Sequence, residues 1–186
     1  ITLTDYCLRH LYGEEPEGDE AARTQRLFDL VCTATAGLAA SYMVAGFVHG
    51  VLNSDNIAIT GESFDYGPWR FTPYWDEAFT AAYFDETGLY SFGRQREAIH
   101  WDLGQLGGCL ALIGPAEPLQ AIRGDWSRRF DAALVAMMLQ RLGVAPTSAK
   151  EDGDVAQWIV AALAAKTVTL DRFWFDWRGG RDPGAD

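Results

Sequence analysis

The sequence predicts a mainly helical, α+β domain with one small β-hairpin set among its helices. Apolar residues recur at spacings of three and four through several long segments, the period of a helix with one buried face. Only one place offers two short apolar runs around a tight turn: Ile57-Ala58-Ile59 and Ser63-Phe64 flank Thr60-Gly61-Glu62, the pattern of a hairpin. The third observation concerns size. A chain of 186 residues, 48% apolar, with 7 Trp, 7 Tyr and 10 Phe, suits one domain or one lobe of a larger protein and can fill a core.

The elements follow in order. Residues 3–11 read as a short helix with Thr4 or Asp5 near its start, and the acidic, Gly- and Pro-containing stretch 12–19 as a loop. From Glu20 to about Ala45, the residues Leu27, Leu30, Val31, Ala34, Leu38, Tyr42 and Ala45 make one apolar face, and Gly46 ends the helix. The hairpin comes next, with Asn56 at its entry and Asp65 at its exit. Residues 68–95 are aromatic and irregular, so a structured loop with buried rings is expected. Ile99, Leu103, Leu106, Leu110 and Ile113 define a helix over 96–113, stopped by Pro115. A second long helix is predicted over 119–142, with Gly143 as its stop, and a third over 148–166. Residues 169–178 read as a final aromatic helix or turn, and 179–186 as a frayed tail.

Composition narrows the function classes. A net charge of −11 argues against general affinity for nucleic acid or an anionic membrane. Cys7, Cys32 and Cys109 lie far apart and build no zinc spacing. They are expected to be inert, buried free thiols in a reduced, cytoplasmic setting, or a mitochondrial one if the source is eukaryotic. Residues 30–54 carry no Asp, Glu, Lys or Arg. Their Thr, Ser, His and Asn residues and the break at Gly46 to Gly50 argue for a buried helix running into a buried loop, not a membrane span. Because the chain starts at Ile1, it is expected to be cut from something longer.

The chemistry concentrates in His49-Gly50-Val51-Leu52-Asn53-Ser54-Asp55-Asn56 and in Asp65-Tyr66-Gly67. An amide and a carboxylate can hold a divalent cation on a polyphosphate, and a second carboxylate can serve the incoming nucleophile. Helix, polar loop, hairpin, Asp-aromatic-Gly and more helices is also the layout of a protein-kinase C-terminal lobe. A kinase catalytic loop carries a metal-binding Asn seven positions after its His, and His49 plus seven is Asn56. Two positions after the His, where kinases place the catalytic Asp, stands Val51, and Asp55 is the nearest replacement. His49 and Asn53 read as braces of the loop rather than as reacting groups. Asp76, Glu77, Asp85 and Glu86 read as a solvated acidic face, and His10 and His100 as residues of no special role.

The segment GFVHGVLNSDNIAITGESFDYGPW closely resembles the selenoprotein O family pattern GFxHGVMNTDNMSIxGxTxDYGPxGF. The likeness continues through Asp76, Phe79, Asp85, Gly88, Tyr90, Phe92 and Gln95 to the LQRLGV stretch and the TLDRFWFDWRG end. The resemblance implies a kinase-fold enzyme that binds ATP in a flipped orientation and transfers AMP to protein hydroxyl groups. By position it implies Asp55 as catalytic base, and Asn56 and Asp65 as ligands of magnesium (manganese being the alternative). Asp65 is also implied to lie close to ATP, and His49, Asn53 and Gly67 to support the loop. ATP and proteins bearing Ser, Thr or Tyr hydroxyls are the implied partners, with no nucleic acid or membrane.

The chain departs from the family pattern at three places. Ala81 replaces a Cys, Arg96 a Pro, and Asp102 the Asn of Trp-Asn-Leu. No glycine-rich loop, nucleotide-binding Lys or partnering Glu precedes the site. The chain therefore reads as a single large-lobe domain over 1–186, without the upstream small lobe and the C-terminal extension, and weak or no activity is expected of it alone. A phosphoryl-transferring kinase and an inactive pseudokinase scaffold remain the alternatives at this stage.

Overall fold

The computed structural model describes residues 2–181 and Gly184. Helix accounts for 59% of it and strand for 3%, in keeping with the mainly helical expectation. Helix α1 spans Leu3–Tyr6 and runs on as a π-helical turn, Cys7–Leu11. Its cap is Thr2, not Thr4 or Asp5: Thr2 Oγ1 accepts the Asp5 N–H at 3.2 Å, and Asp5 Oδ2 accepts the Thr2 N–H at 3.4 Å. That reciprocal pair satisfies two donors a helix start leaves free.

Helix α2, Glu20–Ala45, is capped by Asp19, whose Oδ1 accepts the Ala22 N–H at 2.8 Å, and ends at Gly46 in the left-handed region, φ 70°. By length and composition it could cross a membrane, yet 61% of its most apolar 18-residue window is buried inside the fold. Phe28, Val31, Cys32, Ala36 and Ala40 are all at most 2% exposed. The helix is the central rod against which the helix at 126–142 packs.

Helix α3 spans Gln95–Leu110, following a 3-10 turn at Phe92–Arg94. The predicted helix over 119–142 is in fact two, α4 (Ala116–Gly124) and α5 (Trp126–Leu142). The break falls where Gly124 is a weak helix former and Asp125 has a short polar side chain. The Asp125 carboxylate takes Arg128 at 2.6 Å and Arg129 at 3.1 Å. With the bend, Leu119 and Trp126 are both buried, and Trp126 Nε1 donates to Thr35 Oγ1 of α2 at 3.2 Å. Arg129 reaches α2 as well, pairing with Asp29 at 2.6 Å and donating to Thr33 Oγ1 at 2.7 Å. Helix α5 ends at Gly143 with φ 76°, as expected. Helix α6, Ala149–Ala164, is capped by Ser148, and α7, Leu170–Asp176, is followed by a 3-10 turn at Arg178–Gly180. The predicted frayed tail falls partly on residues 182, 183, 185 and 186, which lie outside the described residues.

The sheet is not where the sequence suggested. Strand β1, Phe47–Val48, pairs antiparallel with β2, Arg70–Phe71, in the register Phe47↔Phe71 and Val48↔Arg70. The expected hairpin reduces to one bridge, Ile57↔Ser63, closed by Ala58 N–H donating to Glu62 O at 2.8 Å and Gly61 N–H to Ala58 O at 3.0 Å. Its tip sits tightly on α2. Gly61 has φ 84°, and a Cβ there would come within 2.8 Å of Ala34. The aromatic stretch after it is less buried than expected. Trp75 and Phe92 are in the core, but Phe71 is 58% and Tyr83 91% exposed. Of the thiols, Cys7 and Cys32 are buried and Cys109 is exposed, because it faces outward on α3.

Candidate functional site

The site is built where α2 ends. After Gly46, β1 carries the chain inward to His49, which is fully buried. The His49 backbone N–H donates to Gln95 Oε1 at 3.0 Å. Its Nε2 lies 2.8 Å from Phe64 O, and the Val51 N–H points at its Nδ1 at 3.4 Å. A carbonyl only accepts and an amide N–H only donates, so the network assigns the proton to Nε2. His49 thus ties the start of the loop to the far strand of the bridge. Gly50 follows at φ 89°, where a Cβ would meet Pro68 Cγ at 2.9 Å and Ala81 Cβ at 3.1 Å. Only glycine takes that conformation in that space without strain.

Gln95 has no exposed surface and holds three backbone groups. Besides accepting from His49, its Nε2 donates to Phe47 O at 2.9 Å and to Phe92 O at 3.4 Å. It staples the first turn of α3 to β1 and the loop. Sequence reasoning noted Gln95 only within a family pattern. Its role had no local signal, because two of its three partners, His49 and Phe47, lie 46 and 48 positions away in the chain.

Asn56 is oriented by the same logic. Its Nδ2 donates to Val51 O at 2.9 Å, its backbone N–H to Asn53 O at 2.9 Å, and its own O accepts the Phe64 N–H at 3.1 Å. Val51 O cannot donate, so the amide nitrogen must face it. The Asn56 Oδ1 takes no hydrogen bond among the described residues. Asp65 directly follows Phe64, so the backbone bond sets the two candidate ligands on adjoining strands. Asp65 is exposed, and its φ of 60° is a left-handed conformation that Asp tolerates better than most residues. The Gly67 N–H donates to Asp65 O at 2.8 Å, closing the turn. Gly67 itself has open space where a Cβ would go, so packing does not demand a glycine there.

Asp55 is exposed beside Asn56. Asn53 Oδ1 accepts the Tyr90 hydroxyl, and Asp85 accepts the Leu89 and Tyr90 N–H groups at 2.7 and 2.9 Å. The loop and the 85–90 turn are thereby latched together. A cleft of about 460 Å³ opens beside them, walled by Leu52, Asn53, Tyr90, Trp101 and Asp102. Burial, and next the nearby Asp55 charge, push the Asp102 carboxyl up to about 7. The Tyr90 hydroxyl is raised too, by burial first and then by Asp102, Asp85 and Asp55. Asp76 pairs with Lys166 at 3.0 Å, away from the loop.

Among the described residues, no group of three or more His, Cys, Asp or Glu side chains could hold a metal ion. An amide oxygen and a carboxylate are both hard oxygen donors of the kind a small divalent cation takes.

Comparison with known proteins places this geometry in context. A family model described as Protein adenylyltransferase SelO matches residues 1–182. Several similar relatives carry the name Protein nucleotidyltransferase YdiU. That of Synechocystis is 41% identical over 78% of this chain and 31% of the relative's length. That of Hahella chejuensis is 34% identical over 92% of the chain and 34% of the relative. That of Rhodococcus jostii is 35% identical over 95% of the chain and 34% of the relative. The chain thus spans about a third of the length of these relatives.

Proposed function

The chain belongs to the SelO protein adenylyltransferase family, and from that premise we propose that it carries the metal- and acceptor-side part of an ATP-dependent transfer of AMP to protein Ser, Thr or Tyr hydroxyls. In this reading it is the C-terminal lobe of a kinase-like fold, and the rest of the nucleotide site is supplied outside these residues. Magnesium, ATP, hydroxyl-bearing protein substrates and a cytoplasmic location belong to the same proposal.

The observation that carries it is the pair of bonds at Asn56. Its Nδ2 is committed to Val51 O and its carbonyl to Phe64 N–H. The Oδ1 is left uncommitted one residue across the bridge from the Asp65 carboxylate. Both donors are hard oxygens, so the residues fit a magnesium ion. When bound, that ion would offset charge gathering on the departing pyrophosphate. Asp55, exposed next to Asn56, accepts the proton of the incoming hydroxyl as its oxygen bonds to the α-phosphorus. The bond from that phosphorus to pyrophosphate breaks in the same displacement. His49 and Gln95 take no part in proton transfer; they hold the backbone that aims Asp55 and Asn56.

The test uses the complete product of the reading frame that encodes this chain. Incubated with ATP labelled at the α or the γ phosphate, it should retain label on protein only from the α position. Retention from the γ position would instead favour phosphoryl transfer. Asp65→Ala should abolish thermal stabilisation by Mg-ATP while leaving the unliganded melting point within a few degrees, because the residue is exposed. Full stabilisation by Mg-ATP in that variant would remove Asp65 from the site.

A further inference from the structure

We propose that Asp102 is a positioning residue: a protonated carboxyl that backs the Leu52–Ile57 loop.

The geometry comes first. Asp102 lies on α3 and is 8% exposed. Neither Oδ1 nor Oδ2 has a hydrogen-bond partner, and both are sealed from solvent. An ionised carboxylate held that way is very costly, whereas a neutral carboxylic acid is tolerated. Asp102 is also the common wall of two cavities. The larger, about 460 Å³, touches Leu52 and Asn53; the smaller, about 230 Å³, touches Ser54 and Ile57. Those four residues bracket Asp55 and Asn56, so Asp102 stands directly behind the segment that presents them.

Among the described residues, no cation pairs with it. From the loop the Asp55 charge acts on it, and the Tyr90 hydroxyl of the 85–90 turn feels Asp102 together with Asp85 and Asp55. Asp85 is already committed to two backbone N–H groups. Across the larger cavity, Arg94 is engaged by Glu97 at 3.5 Å and by Gly88 O at 3.4 Å. Cys109 lines the smaller cavity, and α2 contributes only Val31 and Thr35 there. Burial, with the Asp55 charge second, raises the Asp102 carboxyl to about 7. The buried Asp102 carboxyl therefore loses its proton near neutrality rather than in the usual carboxylate range. Losing the Asp102 proton would put two like charges on either side of one loop and push Asp55 from its place.

This rests on the reading of Asp55 as the base, so two measurements are paired. In the complete protein, AMP transfer should fall as pH rises through about 7, and Asp102→Asn, neutral at every pH, should remove that fall while keeping activity near pH 6 within about twofold. A variant profile that coincides with the wild type, or that is lowered equally at all pH values, overturns the proposal. If the wild type transfers no AMP, the proposed function fails, and infrared difference spectroscopy decides Asp102 by itself. A protonated-carboxyl band should titrate near 7, vanish in Asp102→Asn, and titrate lower in Asp55→Asn. Absence of that band, or a midpoint unmoved by Asp55→Asn, overturns the proposal.

Discussion

The α2–α5 layer and the 47–95 segment are held by different forces. The helices meet through apolar bulk: Phe28, Val31 and Ala40 on one side, Phe130 and Met138 on the other, all at most 2% exposed. The 47–95 segment has two strands of two residues each and one isolated bridge. Its order comes from single side chains bonded to backbone groups: Gln95, His49 and Asp85, each holding two or more, and Asn56, holding Val51 O. The apolar part of the first region tolerates hydrophobic changes that keep its volume best. The second is intolerant at a few points, and those points surround the candidate chemistry.

Three substitutions sharpen that contrast. Phe28→Ala should have the largest effect, a loss of about 3–5 kcal/mol in denaturant unfolding, because a fully buried ring leaves a cavity. Phe28→Leu should recover most of it. Gln95→Leu keeps a similar bulk, yet it strands the His49 N–H and Phe47 O. It should cost about 2–4 kcal/mol, and hydrogen exchange should show the loss confined to the loop. Equal loosening of α2 would erase the distinction between the regions.

The last effect, Asp102→Asn, depends on pH and vanishes at acid pH. The folded carboxyl titrates at about 7 against 3.8 unperturbed. In that interval the native state binds more protons than the unfolded one, so wild-type stability falls as pH rises from about 4 to about 7. The fall is on the order of 2–4 kcal/mol. Asp102→Asn should abolish it, so the variant's unfolding midpoint gains on the wild type with rising pH. Parallel curves for the two proteins would show that Asp102 does not hold its proton.

The helices were legible in the sequence because helix contacts are local. The 3.6-residue period marked α2, α3 and α6, and Gly46 and Gly143 marked two ends. The same period hid the bend at Asp125, since the apolar face continues across it. The sheet was missed because β1 and β2 are too short to show alternation, and residues 49–69 separate them. At the site, the loop residues stood out as a pattern. What holds them did not, because Gln95, Tyr90 and Asp102 meet the loop across the fold. Asp102 was visible only as a departure from a family pattern, and no neighbouring residue marked it as buried.

The Tyr12 hydroxyl donates to Ile59 O, near the tip of the bridge that carries Asn56. Burial, and next the Glu62 charge, push that hydroxyl up to about 12, so the tether keeps its proton throughout the neutral range. The first dozen residues, remote from the candidate site, therefore help set the pitch of the arm that carries Asn56. Trimming them to obtain a smaller protein would spare the whole motif and still slacken its aim.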